Sequence, residues 1–236
     1  MKTALITGAS RGIGRNIAKT LSAAGYHVFA VAKTSQDALL SLQNEIGCTP
    51  ILADVSDPDQ VSSLYNTIHQ HCDHIDVLVN NAGISHIGLL QDMSVEEWDR
   101  VINTNLRSAF LCSKHALPSM ISRQNGCIIN ISSMWGERGA SCEVAYSASK
   151  GGLNAFTKAL AQEVAPSGIR VNAIACGAID TDMNRFLSSD ERAELESGIG
   201  LGRFGTPQEV ADLVLYLAGD KSTYLTGQVI TLDGCF

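Results

Sequence analysis

Short apolar runs alternate with longer amphipathic segments along this chain of 236 residues. Seven runs have the length and composition of buried strands, and they fall at 3–7, 27–32, 50–53, 75–80, 127–132, 169–175 and 228–232. Helical periodicity fills the intervals, at 12–24, 36–46, 58–71, 95–121, 144–165 and 207–218. Strands that alternate with helices indicate βαβ units. The pattern predicts an α/β fold, with a doubly wound parallel sheet of seven strands flanked by helices, in a single domain over 1–236.

A glycine-rich segment follows the first strand at once. It reads Gly8-Ala-Ser-Arg-Gly12-Ile-Gly14 and leads directly into the first helical pattern. Glycines let the backbone turn tightly and approach a ligand, and a helix N-terminus offers free N–H groups and a positive dipole end. The spacing differs from the Gly-x-Gly-x-x-Gly fingerprint. We interpret the segment as a cradle for phosphate groups, and a glycine turn that only packs strand on helix is the alternative.

A tyrosine and a lysine stand one helical turn apart in the run Tyr146-Ser-Ala-Ser-Lys150, and Ser133 lies thirteen residues upstream. Residues at this spacing share a helix face. A lysine cation beside a phenol is expected to lower the phenol's pKa from its ordinary value of about 10. A serine hydroxyl nearby would hydrogen-bond a carbonyl oxygen while the tyrosine passes it a proton. The constellation suits redox chemistry between carbonyl and alcohol, provided that a hydride donor lies opposite.

Composition restricts the classes of partner and the compartment. The net charge of −7 gives no basic footprint for nucleic acid. No apolar run approaches the roughly 20 residues of a membrane span, and the first residues do not resemble a signal peptide. The seven cysteines include no Cys-x-x-Cys pair, and their number is odd. We therefore expect reduced thiols and a cytoplasmic protein.

Six motifs together resemble the short-chain dehydrogenases/reductases, a family with a Rossmann-type fold. They are Thr7-Gly-Ala-Ser-Arg-Gly-Ile-Gly14, Asp54-Val55, Asn80-Asn-Ala-Gly83, Asn105, Ser133 and Tyr146-x-x-x-Lys150. The motifs stand in the family's order, and the resemblance extends to Thr226-Gly227 near the C-terminus. It implies a fold that binds a nicotinamide cofactor and an enzyme that interconverts ketones and alcohols.

The resemblance also implies roles for individual residues. Tyr146 would be the general acid for reduction, Ser133 would polarise the carbonyl, Lys150 would tune the tyrosine and hold the ribose, and Asn105 would anchor a water-linked proton relay. The residues expected at the cofactor are Gly8, Ser10, Arg11, Gly12, Ile13, Gly14, Lys33, Asp54, Val55, Asn81, Ala82, Gly83, Tyr146, Lys150, Gly177, Ile179 and Thr181. No metal is expected, and we interpret His69, His71 and His74 as a solvated helix end.

The charges predict NADP(H) rather than NAD(H). The second strand, His27–Ala32, ends without the acidic residue that would bind a ribose 2′-hydroxyl, and Lys33 follows it. Arg11 adds a second cation inside the glycine turn. Two cations with no carboxylate beside them favour an adenosine 2′-phosphate.

The substrate is open between several ketones. Leu201-Gly-Arg-Phe-Gly205 and Tyr224-Leu-Thr-Gly227 resemble 3-oxoacyl-[acyl-carrier-protein] reductases of fatty acid synthesis. Gln124 and Ser167 stand where those enzymes have arginines that dock the acidic carrier, and Cys176-Gly177 replaces their Pro-Gly. Ser132-Ser-Met-Trp-Gly136 with Gly139-Ala-Ser-Cys-Glu-Val144 instead resembles reductases of a 5-aminopentanone group on elongation factor P. Another small ketone or alcohol, and a non-catalytic NADPH sensor, are the remaining alternatives.

Two further expectations concern shape and assembly. The interval 177–206 is bounded by glycines and follows the sixth strand, so we expect a mobile substrate lid there. The resemblance implies a homotetramer, with the helices that carry Asn105 and Tyr146 packed across one interface.

Overall fold

The computed structural model describes residues 1–184 and 187–236, and these form one seven-stranded sheet. The strands are β1 Thr3–Thr7, β2 His27–Ala32, β3 Thr49–Leu52, β4 Val77–Asn80, β5 Gly126–Ser133, β6 Ile169–Cys176 and β7 Val229–Leu232. All pairs are parallel, and the spatial order is β3-β2-β1-β4-β5-β6-β7. The predicted doubly wound parallel sheet is confirmed.

Helices cover both faces of the sheet. They are α1 Gly12–Ala23, α2 Gln36–Ile46, α3 Pro58–His69, α4 Val95–Ile102, α5 Ser108–Arg123, α6 Trp135–Arg138, α7 Val144–Val164, α8 Ser189–Ser197 and α9 Pro207–Ala218. One apolar cluster joins α1, α2 and α9 to the sheet, and another joins α3, α5 and α7 to its opposite face. Neighbouring strand residues supply opposite clusters, as Leu5 and Ile6 of β1 do.

The predicted helix over 95–121 is present, since helical backbone runs without interruption from α4 into α5. It contains a π-helical turn at Asn103–Arg107 that was not predicted. The local sequence contains no glycine or proline at this turn, so periodicity gave no sign of it. Tertiary contacts hold it instead, because the Asn105 side chain in this turn bonds to Ile84 on a neighbouring loop and to Ser149 of α7. Such π-helical turns are frequent at functional sites.

The segment 177–206, predicted as a lid, is ordered by local bonds in the part that the structure describes. Arg192 of α8 pairs with Asp180 and Glu196, at 3.0 Å each, and lies 4.5 Å from the Phe204 ring centroid. Arg185 and Phe186, which belong to the predicted lid, lie outside the described residues. The role of this segment as a lid stays a prediction.

The described residues contain no candidate membrane span and no disulfide. Across residues 1–184 and 187–236, we find no helix with the length and apolar character needed to span a bilayer. All seven cysteines carry free thiols.

Candidate active site

The segments that follow the strands meet at one edge of the sheet, because parallel strands all end on the same side. Gly8 follows β1, Lys33 follows β2, Asp54 comes shortly after β3, Asn81 follows β4 and Gly177 follows β6. Strand order reverses direction between β1 and β4. Ligands of doubly wound sheets bind at this switch point, so the predicted cofactor residues surround the expected crevice.

Asn81 holds the glycine turn in place across the switch point. Its side-chain amide donates to the carbonyls of Thr7, at 2.8 Å, and Gly8, at 3.1 Å. The Thr7 hydroxyl in return accepts from the backbone N–H groups of Asn81 and Ala82, both at 3.0 Å. A Cβ on Gly14 would overlap the Gly8 carbonyl, so the turn tolerates no side chain there. The Thr7 hydroxyl was not predicted as a site residue, because its hydrogen bonds go to residues that follow β4, a strand far from it in the sequence.

The N-terminus of α1 has the properties of a phosphate site. Among the described side chains none caps this helix, and its first turn carries no acid. By contrast, Ser94, Ser188 and Thr206 form complete capping boxes at α4, α8 and α9. The N–H groups of α1 are thus left for a ligand, which fits the pyrophosphate of a dinucleotide.

The other predicted cofactor residues differ in how far they are exposed to solvent and in what they contact. A Cβ on Gly12 would lie 3.4 Å from Thr181, so the start of 177–206 rests on the glycine turn. Arg11 is exposed, and Val55 is buried. Three others, Ser10, Ile13 and Ala82, are partly buried in or beside the turn, while Ile179 is buried and bridges to Gly205.

Tyr146 and Lys150 lie on one face of α7, and both side chains contact the last residues of β5. The Lys150 ammonium lies 5.6 Å from the Tyr146 ring centroid and donates to the Ile131 carbonyl at 2.8 Å. Ser133, the last residue of β5, bonds to the Tyr146 phenol and accepts from the Trp135 backbone N–H at 3.2 Å. The structure therefore brings the predicted serine, tyrosine and lysine together.

Burial sets the proton affinities of this pair. Desolvation raises the pKa of Tyr146 above its ordinary value, although the Ser133 hydrogen bond opposes the rise. Desolvation also lowers the pKa of Lys150 to about 8. The expected lowering of the tyrosine pKa by Lys150 is therefore wrong for this structure. Both groups are pushed toward their neutral forms, which keeps the phenol protonated at neutral pH.

Asn105 fastens the loop after β4 to α7. Its side chain accepts from the Ile84 N–H at 2.8 Å, donates to the Ile84 carbonyl at 2.9 Å and donates to Ser149 at 3.0 Å. A Cβ on Gly83 would lie 3.3 Å from Asn105 Oδ1 and 3.5 Å from Lys150 Nζ. Asn105, Gly83 and Lys150 are therefore neighbours. The water-linked relay through Asn105 stays a prediction.

Lys33 does not stand alone at the end of β2. Its ammonium lies 2.6 Å from Asp54, whose carboxylate also accepts from the Ser56 hydroxyl at 2.6 Å. We predicted that no carboxylate lies beside the two cations, and for Lys33 this prediction is wrong. The end of β3 lies beside the end of β2 in the sheet, which the sequence order of the strands does not reveal.

Cys176 takes the position of the family's proline at the end of β6, opposite Ser133 in the strand register. Its thiol is buried, and burial raises the thiol pKa to about 12. The thiol therefore stays neutral, as expected for packing rather than for nucleophilic chemistry. Cys142 is only partly buried and has a left-handed backbone, with φ of 63°.

Two residues near the site were missed from the sequence. The Glu143 carboxylate accepts from the Ser85 hydroxyl, which joins the N-terminus of α7 to the loop after β4. The signal for Glu143 was present, because it stands three residues before Tyr146 and thus on the same helix face. Ser85 had no signal, since only the tertiary fold brings it to α7.

Two of the three histidines predicted as a solvated helix end, His71 and His74, follow α3 and have different neighbours. His74 lies 3.6 Å from Asp76, whereas His71 packs near the Phe29 ring. Within the described ranges, no three His, Cys, Asp or Glu side chains are grouped to hold a metal ion.

Comparisons with known proteins agree with this geometry. Residues 8–236 match a family model described as enoyl-(acyl carrier protein) reductase. The 3-oxoacyl-[acyl-carrier-protein] reductase FabG of Escherichia coli is 43% identical over 235 residues, which cover 99% of this chain and 96% of that protein. The uncharacterized oxidoreductase YmfI of Bacillus subtilis is 41% identical over 239 residues, which cover 99% and 98% of the two chains.

Solved structures with the same fold are also similar in sequence. A short-chain type dehydrogenase/reductase from Mycobacterium marinum superposes with a TM-score of 0.93 at 39% identity. A putative gluconate dehydrogenase from Agrobacterium tumefaciens superposes with a TM-score of 0.94 at 33% identity. Each superposition covers 99% of this chain and 94% of the other. The chain therefore belongs to the short-chain dehydrogenase/reductase family, as a nicotinamide-dependent oxidoreductase of CH–OH and C=O groups that is most like the 3-oxoacyl-[acyl-carrier-protein] reductases.

Proposed function

We propose that this protein reduces a ketone to an alcohol with NADPH, and that the ketone is a 3-oxoacyl group carried by acyl carrier protein. The observation that carries the chemistry is the contact of Ser133 with Tyr146 beside the buried Lys150, next to the uncapped N-terminus of α1. Similarity to 3-oxoacyl-[acyl-carrier-protein] reductases over 99% of this chain supports the substrate class. By the same analogy we propose a cytoplasmic location.

The residues divide the reaction between them. Ser133 donates a hydrogen bond to the carbonyl oxygen and orients the ketone. The glycine turn and Lys150 would hold the nicotinamide cofactor, which would supply a hydride for the carbonyl carbon when bound. Tyr146 gives its phenolic proton to the carbonyl oxygen, so the ketone gains one hydride and one proton and becomes an alcohol. Burial holds the phenol in the protonated form that this step requires.

Lys150 would act on the phenolate that remains after the proton leaves. Its ammonium lies over the Tyr146 ring, and burial strengthens the attraction between the two charges. The proposed relay through Asn105 then returns a proton to the site. Asn105 supports this role by position, since it packs beside Gly83 and Lys150.

Lys33 and Arg11 support NADPH as the hydride source. Lys33 exposes 68% of its side chain and is free to turn toward a ligand. Before the cofactor binds, the ion pair with Asp54 would keep Lys33 near the expected position of the adenosine. A 2′-phosphate would compete for Lys33 with two negative charges against the one of Asp54.

One observation favours elongation factor P with a 5-aminopentanone group as a second candidate substrate. The positions that would dock an acidic carrier, Gln124 and Ser167, are uncharged. The neighbouring Arg123 donates to Asp76 at 2.6 Å and is thus engaged within the chain. Gln124 and Ser167 come two residues before β5 and β6, so they lie at the amino-terminal edge of the sheet, whereas Tyr146 lies beside the carboxyl end of β5. An acidic carrier would find few cations there.

A substrate panel tests these proposals together. We expect the wild type to oxidise NADPH in the presence of acetoacetyl thioesters. The Tyr146→Phe variant should lose most of this turnover while its affinity for NADPH stays nearly unchanged, because only the proton donor is removed. Absorbance of NADPH measures turnover, and fluorescence titration measures binding. Reduction of 5-aminopentanone-modified factor alone would favour the second candidate. Wild-type rates in Tyr146→Phe, or tight NADPH binding with no turnover of any ketone, would contradict the proposed chemistry.

Lys33→Asp combined with Arg11→Ala should erode the preference for NADPH over NADH by roughly tenfold or more, since two charge-assisted bonds to the 2′-phosphate are lost. Steady-state kcat/KM for each cofactor measures the ratio. Lys19→Ala, an exposed cation paired with Glu45 on the outer side of α1, is the matched control. An unchanged ratio in the double variant would contradict the cofactor assignment.

Lys150→Met should stabilise the cofactor-free protein at neutral pH. The folded pKa of Lys150, about 8, lies below its unfolded value of about 10.4. Below pH 8 the folded state bears the full cost of a buried charge, and the wild type regains stability as pH rises between the two values. After loss of the Ile131 hydrogen bond, we expect a gain of about 2 kcal/mol in the free energy of unfolding at pH 7. Urea unfolding at pH 7 and 10 checks this, and a gain that does not change with pH would refute it.

We further propose a homotetramer. Two apolar side chains of α5, Phe110 and Ile121, are 45% and 43% exposed, which supports an interface on this helix. Light scattering after size-exclusion chromatography should give four times the chain mass of 25.1 kDa. A monomeric mass at micromolar concentration would contradict the assembly.

A further inference from the structure

An acidic side chain lies on the catalytic face of α7. Glu143 is the residue before this helix, and Tyr146 and Lys150 follow it by three and seven positions. Residues at these spacings stand above one another on a helix surface. The negative charge of Glu143 also acts on Tyr146, whose pKa it helps to raise. The acid therefore lies beside the group that is proposed to hold the carbonyl.

The carboxylate is not used to begin the helix. Acidic or hydroxyl side chains at helix N-termini ordinarily accept from free N–H groups, as Asp57 does at α3. The Glu143 side chain makes no such cap, and its Oε1 accepts from the Ser85 hydroxyl instead. Ser85 lies two residues after Gly83, which packs beside Asn105 and Lys150. The carboxylate thus bridges from α7 to the loop after β4, at the rim of the catalytic groups.

Basic side chains of the segments next to Glu143 in the chain or in the fold are engaged by other partners. Arg138 donates to the Phe236 carbonyl at 2.5 Å, and Lys150 donates to Ile131. His86 lies 3.8 Å from Glu97. Among the residues that the structure describes, none forms an ion pair with Glu143, and its carboxylate accepts a hydrogen bond from the neutral Ser85 hydroxyl. A partly buried carboxylate with one neutral donor has acceptor capacity left for a cation.

We propose that Glu143 determines substrate specificity, and that it selects ketones bearing a positively charged nitrogen a few bonds from the carbonyl. The inference rests on the proposed ketone reduction, and for the substrate it favours the second candidate, a ketone that bears an amino group, over the neutral 3-oxoacyl group. Three residues along a helix correspond to a rise of about 4.5 Å, which sets the scale of the separation between charge and carbonyl. A neutral 3-oxoacyl chain would make no use of this carboxylate and would have to desolvate it.

A pair of isosteric ketones tests the proposal. One is a methyl ketone with a trimethylammonium group three methylenes from the carbonyl, and the other has carbon in place of that nitrogen. We expect the wild type to favour the cation by roughly tenfold or more in kcat/KM, because two opposite charges at close range near a protein surface attract each other on at least that scale. Glu143→Gln should bring the ratio near one, and Glu143→Asp should retain part of it. Glu163→Gln, an exposed acid on the same helix, should keep the wild-type ratio.

Equal kcat/KM for both ketones in the wild type, or a wild-type ratio in Glu143→Gln, would overturn the assignment. If Glu143→Gln does not fold, the wild type alone decides, because salt should weaken its preference for the cation. A preference that is independent of salt then counts against Glu143. If neither ketone turns over, the reductase function fails, and calorimetric binding of the two ketones to NADP⁺-loaded protein decides the specificity. Equal dissociation constants there would overturn the proposal.

Discussion

The common direction of all seven strands is the constraint on which this protein depends. Gly8, Asn81, Ser133 and Gly177 are far apart in the chain, yet each lies at or just after the end of a strand. Parallel pairing brings these ends to one edge, and the reversal of strand order between β1 and β4 opens a crevice between them. The hydrogen bonds from Asn81 to Thr7 and Gly8 close the base of that crevice. The position of the expected cofactor crevice thus follows from strand polarity, and the Asn81 side chain fixes the backbone at its base.

Burial and charge oppose each other at the catalytic pair. An isolated phenol beside an exposed lysine would become more acidic, but desolvation here moves both groups toward neutrality. In the proposed reaction the neutral phenol donates its proton to a ketone, and the attraction of Lys150 acts on the phenolate once that proton has left. The low dielectric that raises the pKa of Tyr146 also strengthens its later attraction to Lys150. The same burial therefore keeps the phenol protonated before the proposed transfer and strengthens the attraction between the phenolate and Lys150 after it.

Side chains that connect neighbouring elements give the site its chemical detail. Asp54 reaches Lys33 between β2 and β3, Ser85 reaches Glu143, and Asn105 reaches Ile84 and Ser149. Two of these contacts change the chemical role that we assign to a residue. Lys33 becomes a paired cation, and Glu143 becomes an acid at the rim of the active site. The substrate preferences of related folds are expected to vary through contacts of this kind, since the scaffold leaves them free to change.

The sequence by itself determined the layout of this protein. Periodicity placed all seven strands, and the order of the motifs identified the serine, tyrosine and lysine that the fold brings together. These features depend on spacing within single elements, which residue order encodes directly. Only the tertiary structure decided the π-helical turn at Asn105, the pairing of Lys33, the direction of the Tyr146 pKa shift and the partner of Glu143. Each of these depends on desolvation or on a partner from another element, and neither quantity can be read from local sequence.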